Sequence, residues 1–286
     1  MHDPLEGETL ASELFTELAS DLRCSVLMSV SRKPAKLSSL ARELDTTVQD
    51  IHRNVNRLTD RGILRRENGE IHLTEYGRIV TKQIPFFIFM KKHRKFFEEH
   101  TLGDIPEKFL QRIGALQNCE LVRSVAAVME RLKKLEYDAT KHLRIIVSQA
   151  WGEEGRIIVE LSMHGVQVLG IMGKEYDHAP RDHDSIGKSI EKMPANQKMQ
   201  TKMVEKVDVA LYISDELAAV MFPNMRGEID MGSIFIGGDP AFYEWCNDLF
   251  NHYWERGGYF DLRKTTIVYR VFQSANLPSL MIYLCC

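Results

Sequence analysis

The chain is 286 residues long, 44% hydrophobic and 27% charged, with a formal net charge of −3. That balance fits two soluble globular domains, each long enough for its own core. No apolar run nears the roughly 20 residues of a membrane span, and five cysteines without a CxxC pair argue for a reducing compartment and against a disulfide framework.

The N-terminus is acidic and lacks the basic start of a signal peptide, so the expected location is cytoplasmic. Residues 1–21 hold six acids and no Lys or Arg. Residues 22–95 hold 16 Lys and Arg against 7 Asp and Glu, a balance of +9, and the remainder returns to −6. A near-neutral chain with its positive charge gathered in one segment carries the electrostatic footprint of nucleic-acid binding.

Residues 37–77 read as helix, turn, helix and a two-stranded wing. Leu37, Leu40, Ala41 and Leu44 share a face of a short helix that Ser38 or Ser39 is placed to cap. Asp45-Thr46-Thr47 turns, and either threonine is placed to cap the next helix. Val48, Ile51, Val55 and Leu58 form one apolar stripe. At about 100° per residue, Gln49, Arg53, Asn56 and Arg57 lie opposite it, with His52 at the flank. Gly62 stops the helix, and Ile63-Leu64-Arg65-Arg66 begins a strand. Asn68-Gly69 is a strong hairpin signal, because a type I′ turn needs positive φ at both positions. Ile71-His72-Leu73 returns, and Thr74 caps another helix. The bland alternative is a helical hairpin with a solvated basic face. Against it stand the side chains offered: Gln, Asn and Arg pair bidentately with adenine and guanine edges. Gln49, Arg53 and Asn56 are the expected base contacts, and Arg57, Arg65 and Arg66 the expected phosphate contacts; Thr47 and His52 border them.

Residues 20–82 resemble the winged-helix domains of ArsR-like archaeal regulators, through the run Leu58 to Leu64 and through Leu73-Thr74-x-x-Gly77. The resemblance implies an α+β winged helix-turn-helix, here bounded at 8–82, that binds double-stranded DNA.

Residues 83–140 are expected to be a helical connector. Ile105-Pro106-Glu107 starts one helix, and Val122, Val125, Ala126, Met129, Leu132 and Leu135 suggest another. This segment is either a plain connector or the surface of a homodimer, since winged-helix regulators usually bind two half-sites as two-fold dimers.

From 141 the period changes, and residues 141–260 read as an α/β domain. His142–Val147 and Val166–Met172 are strands around a helix at 153–164, a βαβ unit with parallel strands. Residues 173–200 are polar and irregular. Strands follow at Val207–Ile213, Ala218–Phe222 and Ser233–Ile236. Asp239-Pro240 is an N-cap with proline at the first helical position, ahead of Phe242, Trp245, Leu249 and Tyr253. The runs Ile213–Val220 with Phe222-Pro223, and Asp239–Phe250 with Tyr253-Trp254, resemble the sensor domain of archaeal regulators typified by a methanogenesis regulatory protein. They also resemble the effector half of TrmB-type regulators, whose sheet is similar to that of phospholipase D. The resemblance implies a degenerate sheet of that type that senses an unknown small-molecule effector. Ser214, Asp215, Glu216 and Asp239, after two strands, are the candidate effector positions; turn and cap chemistry is the competing explanation. A protein-interaction module is the alternative role for this domain.

A phosphodiesterase-type enzyme is the less favoured alternative. Phospholipase D chemistry needs His with Lys two positions on and an Asp further along. His93-x-Lys95 is the nearest run, but position 100 is His, so no catalytic activity is expected, and no cofactor. Asp177-His178 through His183-Asp184 gathers possible metal ligands, yet nothing fixes both histidines on one face, and no metal is expected. Gly170–Lys174 is not a phosphate loop. Cys24 and Cys246 fit packed positions. Residues 261–286, ending in Cys285-Cys286, are left unassigned.

Overall fold

A computed structural model describes residues 4–149, 154–177 and 199–260. The chain divides into two units, residues 1–90 and 91–286, built together from mixed helix and strand.

The first unit begins with α1 (Pro4–Leu18), α2 (Asp21–Arg32), α3 (Leu37–Glu43) and α4 (Val48–Asp60). Strands β1 (Leu64–Glu67) and β2 (Glu70–Leu73) form an antiparallel hairpin, followed by α5 (Glu75–Thr81) and α6 (Ile84–Lys92). The local signals act where expected. Thr47 is the N-cap of α4: its Oγ1 accepts from the Asp50 backbone N–H at 3.1 Å and donates to the Asp50 carboxylate at 2.7 Å. Asn68 and Gly69 take φ of 52° and 79°, as a type I′ turn requires. Thr74 caps α5 through the Gly77 N–H and ties back to the Gly62 carbonyl. A Cβ at Gly77 would sit 1.9 Å from the Ile63 carbonyl oxygen, so only glycine lets α5 start against the hairpin.

Leu27, Leu40, Ile51, Val55 and Leu58 are fully buried in one core with Val26, Ile63, Leu64 and Ile71. Each such side chain contributes about 1.5–3 kcal/mol by leaving water. Three details differ from the sequence reading. Neither Ser38 nor Ser39 caps α3; its N-cap is Lys36, with no side-chain bond. Val48 is half exposed, because the first turn of α4 extends past the core. Ala35 pairs with Ile71 through two backbone bonds and adds a third edge to the hairpin.

In its described residues the second unit forms one eight-stranded mixed sheet with helices on both faces. Its strands are β3 (Glu120–Arg123), β4 (His142–Gln149), β5 (Gln167–Asp177), β6 (Met199–Val204), β7 (Ala210–Ile213), β8 (Ala218–Met221), β9 (Ser233–Gly237) and β10 (Gly258–Phe260). They run in the order β10-β6-β5-β4-β7-β8-β9-β3. β4, β5 and β6 are mutually parallel, and every other neighbour is antiparallel. Helices α8 (Val125–Tyr137) and α9 (Glu154–Met163) supply Val128, Leu132, Leu135, Ile157 and Leu161 to a core under one face. On β7, β8 and β4 packs α10 (Pro240–Arg256), with Phe242, Trp245, Leu249 and Phe250 buried.

The expected connector at 83–140 is corrected here. Residues 91–140 belong to the sheet unit. They contain α7 (Glu107–Leu110), two short 3₁₀ turns at Phe96–Glu98 and Ile113–Asn118, strand β3 and α8. Val122 lies in β3, paired with Ile234, and Ser124 at φ 92° breaks the run before α8 starts. Val125 is exposed, and Val128 takes the buried position in its place.

Candidate nucleic-acid interface

Helix α4 presents Gln49, His52 and Arg53 to solvent, with Asn56 half-buried beside them. The buried stripe of Ile51, Val55 and Leu58 fixes which way this face looks. Arg53 is 78% exposed and pairs with Asp50 one turn back at 2.9 Å. An exposed pair of this kind is worth about 0–1 kcal/mol, so a better acceptor displaces Asp50 at little cost. The His52 ring nitrogen Nδ1 lies 3.4 Å from Asn56 Nδ2.

The hairpin is joined to this face. Arg66 Nη2 donates to Asn56 Oδ1 at 2.5 Å, so a residue expected on phosphate and one expected on a base form one unit. Arg65 pairs with Glu67 on its own strand.

Arg57 is engaged differently from the expectation. Its Nε and Nη2 donate to the two oxygens of Glu17 at 2.6 and 3.1 Å. Arg61 Nε reaches the same carboxylate at 3.3 Å, and Arg23 bonds the Glu17 and Thr16 carbonyls. The Glu17 side chain is 4% exposed. Its hydrogen bond from Arg57, helped by the charges of Arg57, Arg61 and Arg23, holds its pKa below the usual value against desolvation. Arg57 therefore ties α4 to α1. Glu17 and Arg61 were not read from the sequence. The one available signal was an acidic residue in a segment without cations, which names no partner.

The candidate effector positions in the second unit are in structural bonds. Asp215 accepts from the backbone N–H groups of Thr140, Lys141 and His142 and from the Thr140 hydroxyl, at 2.6–3.0 Å. Desolvation raises its pKa, but these bonds outweigh it and hold the value at about 2. Ser214 is buried in the turn before β8, and its carbonyl accepts from the Tyr243 hydroxyl at 2.7 Å. Asp239 caps α10 and accepts from Asn118. Glu216 is exposed. His142, which sequence reading did not single out, joins this network through Asp215 and Tyr243.

A separate pocket of about 380 Å³ is lined by Tyr137, Ala139, Thr140, Ile157, Glu160, Leu161, His164 and Val166. Ala139, Ile157, Leu161 and Val166 are buried, and the four others are exposed.

Ser233, His100 and Asp230 also meet. Asp230 lies 2.8 Å and Ser233 3.3 Å from the same ring nitrogen, His100 Nε2, while Nδ1 faces the Phe96 carbonyl. A nucleophile relay needs the acid and the nucleophile on opposite ring nitrogens. This cluster instead fastens the segment before α7 to β9. His93 packs edge-on against Phe235, and burial lowers its pKa. The positions from His178 to Asp184, and Cys285-Cys286, lie outside the described residues. Among the described residues no group of three metal-ligating side chains gathers, and no helix is long and apolar enough to cross a membrane.

The family model of the HVO_A0261 N-terminal domain matches residues 13–90, within the first unit. No curated protein matches the chain. Among solved structures, TrmBL2, an archaeal chromatin protein described as having a novel mode of DNA binding, is 13% identical. That match covers 84% of this chain and 94% of TrmBL2, with a TM-score of 0.40. Nuc of Salmonella typhimurium, a phospholipase D family member, is 12% identical over 50% of this chain and 97% of its own, with a TM-score of 0.37. The structure of PigF with SAH is 10% identical over 71% and 62%, at 0.24.

Proposed function

We propose that the first unit is a winged helix-turn-helix that inserts α4 into the major groove of double-stranded DNA. The chain is then a transcription regulator that works as a homodimer, and its second unit responds to a small molecule. One observation carries the reading: α4 turns Gln49, Arg53 and Asn56 outward on a face fixed by a buried stripe, with Arg66 of the hairpin bonded to Asn56. These are the side chains that read base edges, and they sit in the segment that holds the positive charge. Gln49, Arg53 and Asn56 contact bases, and Arg65 and Arg66 contact phosphates. Arg57 adds only the donors that Glu17 leaves unused.

The effector half of the reading is supported by the pocket under Tyr137 and His164, which has an apolar floor and a few polar groups at its rim. Asp215 and Asp239 serve the fold instead of a ligand. No catalytic step is assigned, and cleavage of a generic phosphodiester lost on a His→Ala change would overturn that.

The test is selection of bound fragments from randomised duplex DNA by the full-length protein, at about 150 mM salt, where nonspecific binding is weakened. An enriched palindrome supports a dimeric reader, and its half-site spacing reports the dimer geometry. Binding without enrichment, lost steeply with salt, replaces this reading with a phosphate-held architectural role.

A further inference from the structure

The pocket of about 380 Å³ in the second unit lies at the small end of the roughly 300–1,000 Å³ that ligand sites occupy. Its floor is apolar and buried: Ala139 follows α8, Ile157 and Leu161 come from α9, and Val166 precedes β5. Its rim is polar, with Tyr137, Thr140, Glu160 and His164 exposed. What such a pocket takes depends on which donors and acceptors the fold has left unused.

The donors are nearly all spent. The Thr140 hydroxyl donates to Asp215 at 2.6 Å, and the Thr140 backbone N–H reaches the same carboxylate at 2.8 Å, which leaves the lone pairs of Oγ1 to accept. His164 Nδ1 lies 2.8 Å from the Glu160 carbonyl oxygen, which can only accept, so Nδ1 carries the proton. In the neutral ring Nε2 is then an acceptor. The backbone N–H groups of His164 and Val166 go to the Glu160 and Leu161 carbonyls, each at 3.1 Å. Among the described residues the Glu160 carboxylate has neither an ion pair nor a hydrogen bond. Arg156, one turn earlier on α9, does not line the pocket, and Lys134 on α8 is held by Asp138 at 2.8 Å. The rim therefore offers three side-chain acceptors, one of them anionic, and a single side-chain donor, the Tyr137 hydroxyl.

We propose that this pocket binds an organic amine, a primary ammonium group carried on a compact apolar body. An ammonium group brings only donors and a positive charge, which suits a rim of acceptors made by Thr140 Oγ1, Glu160 and His164 Nε2. The charge-assisted bond to Glu160 is the strongest of these. The apolar body covers the floor of Ala139, Ile157, Leu161 and Val166. A phosphate or carboxylate would meet the charge of Glu160 and find one donor. A sugar would bury hydroxyls against a floor that gives them no partner. The proposal deepens the effector reading above and rests on it for any regulatory role, while binding itself does not require it.

Ligand-observed NMR titration of the full-length protein without DNA tests it. The probes are phenethylamine and isoamylamine, with phenethyl alcohol as the neutral counterpart and phenylacetate as the anionic one. Both amines should bind at millimolar concentration or tighter, and phenethylamine about tenfold or more tighter than the alcohol and the acid. Glu160→Gln, at an exposed position, should weaken amine binding about tenfold. Glu160→Lys should turn the preference toward phenylacetate, and Glu255→Gln, an exposed carboxylate on α10, should change nothing. Unchanged thermal midpoints show that the variants are folded. Equal affinity for amine, alcohol and acid overturns the proposal. So does an absence of amine binding at millimolar concentration, or an amine preference that survives Glu160→Gln. Amines that bind as expected but leave DNA affinity unaltered would refute the effector reading and leave this site standing. A compound of another class that shifts DNA affinity while amines do not bind would refute this inference and keep the effector reading.

Discussion

Exchanging Asp215 for asparagine should lower the stability of the sheet unit by roughly 2 kcal/mol at neutral pH. The carboxylate satisfies three consecutive backbone N–H groups, those of Thr140, Lys141 and His142, where the chain enters β4. Its pKa is held at about 2 against an ordinary 3.8. At 1.36 kcal/mol per pKa unit that depression is worth roughly 2 kcal/mol, and the side chain is only 13% exposed, so screening removes little of it. Asparagine keeps the size but loses the charge and turns an NH₂ group toward existing donors. The folded pKa is depressed, so the contribution is fully present above the unfolded value near 4 and is lost as pH falls toward 2. The assay is urea unfolding followed by tryptophan emission. All three tryptophans, Trp151, Trp245 and Trp254, lie in the second unit, so the first is silent. The gap between wild type and variant should be roughly 2 kcal/mol at neutral pH and should close on acidification. A gap below about 0.5 kcal/mol, or one independent of pH, would refute the argument that these bonds, and not an effector, occupy Asp215.

Arg53→Ala should weaken operator binding by about 1–3 kcal/mol and relax specificity at one position; equal losses on operator and random DNA would remove Arg53 from the base contacts. Arg66→Ala should weaken all sequences and lower the salt slope by about one unit. Because Arg66 holds Asn56, a double-mutant cycle between them should also show coupling of at least about 0.5 kcal/mol on operator DNA, and additive effects would mean that the hairpin does not set the Asn56 geometry. In the second unit Glu136 is fully buried with neither carboxylate oxygen bonded, and burial together with neighbouring Glu154 raises its pKa well above the ordinary value. A raised pKa stabilises the fold below the unfolded value of about 4.3, and the stabilisation is lost as pH rises through the folded value. Glu136→Gln should therefore become relatively more stable than wild type as pH is raised, and parallel stability curves for the two proteins across neutral and alkaline pH would contradict this.

What the residue order declared most clearly was local. The turn at Asn68-Gly69, the caps at Thr47, Thr74 and Asp239, and the stripe Ile51-Val55-Leu58 each depend on groups within a few positions, and each formed as expected. The βαβ unit at β4, α9 and β5 was legible for the same reason, since its period changes over short windows. β3 was hidden because Val122 falls at helical spacing from Val125 and Leu132, and nothing nearby reveals that its partner is β9, more than a hundred residues on. β6 and β10 are edge-side strands whose residues alternate weakly.

The candidate interface divides the same way. Composition and helical period were enough to nominate Gln49, Arg53 and Asn56, because a helix with one buried stripe has only one face left to offer. They said nothing about which charges were already engaged. Glu17 lies 40 residues from Arg57, and only the packing of α1 against α4 brings that acid onto the arginine. The same holds for Asp215, some 75 residues from the amides it accepts. Sequence alone determined the locally coded elements and their outward chemistry, since backbone propensity and side-chain period act between near neighbours. Tertiary structure decided which polar groups are free to meet a partner, since a hydrogen bond depends on distance in space, and the chain's order does not encode that distance locally.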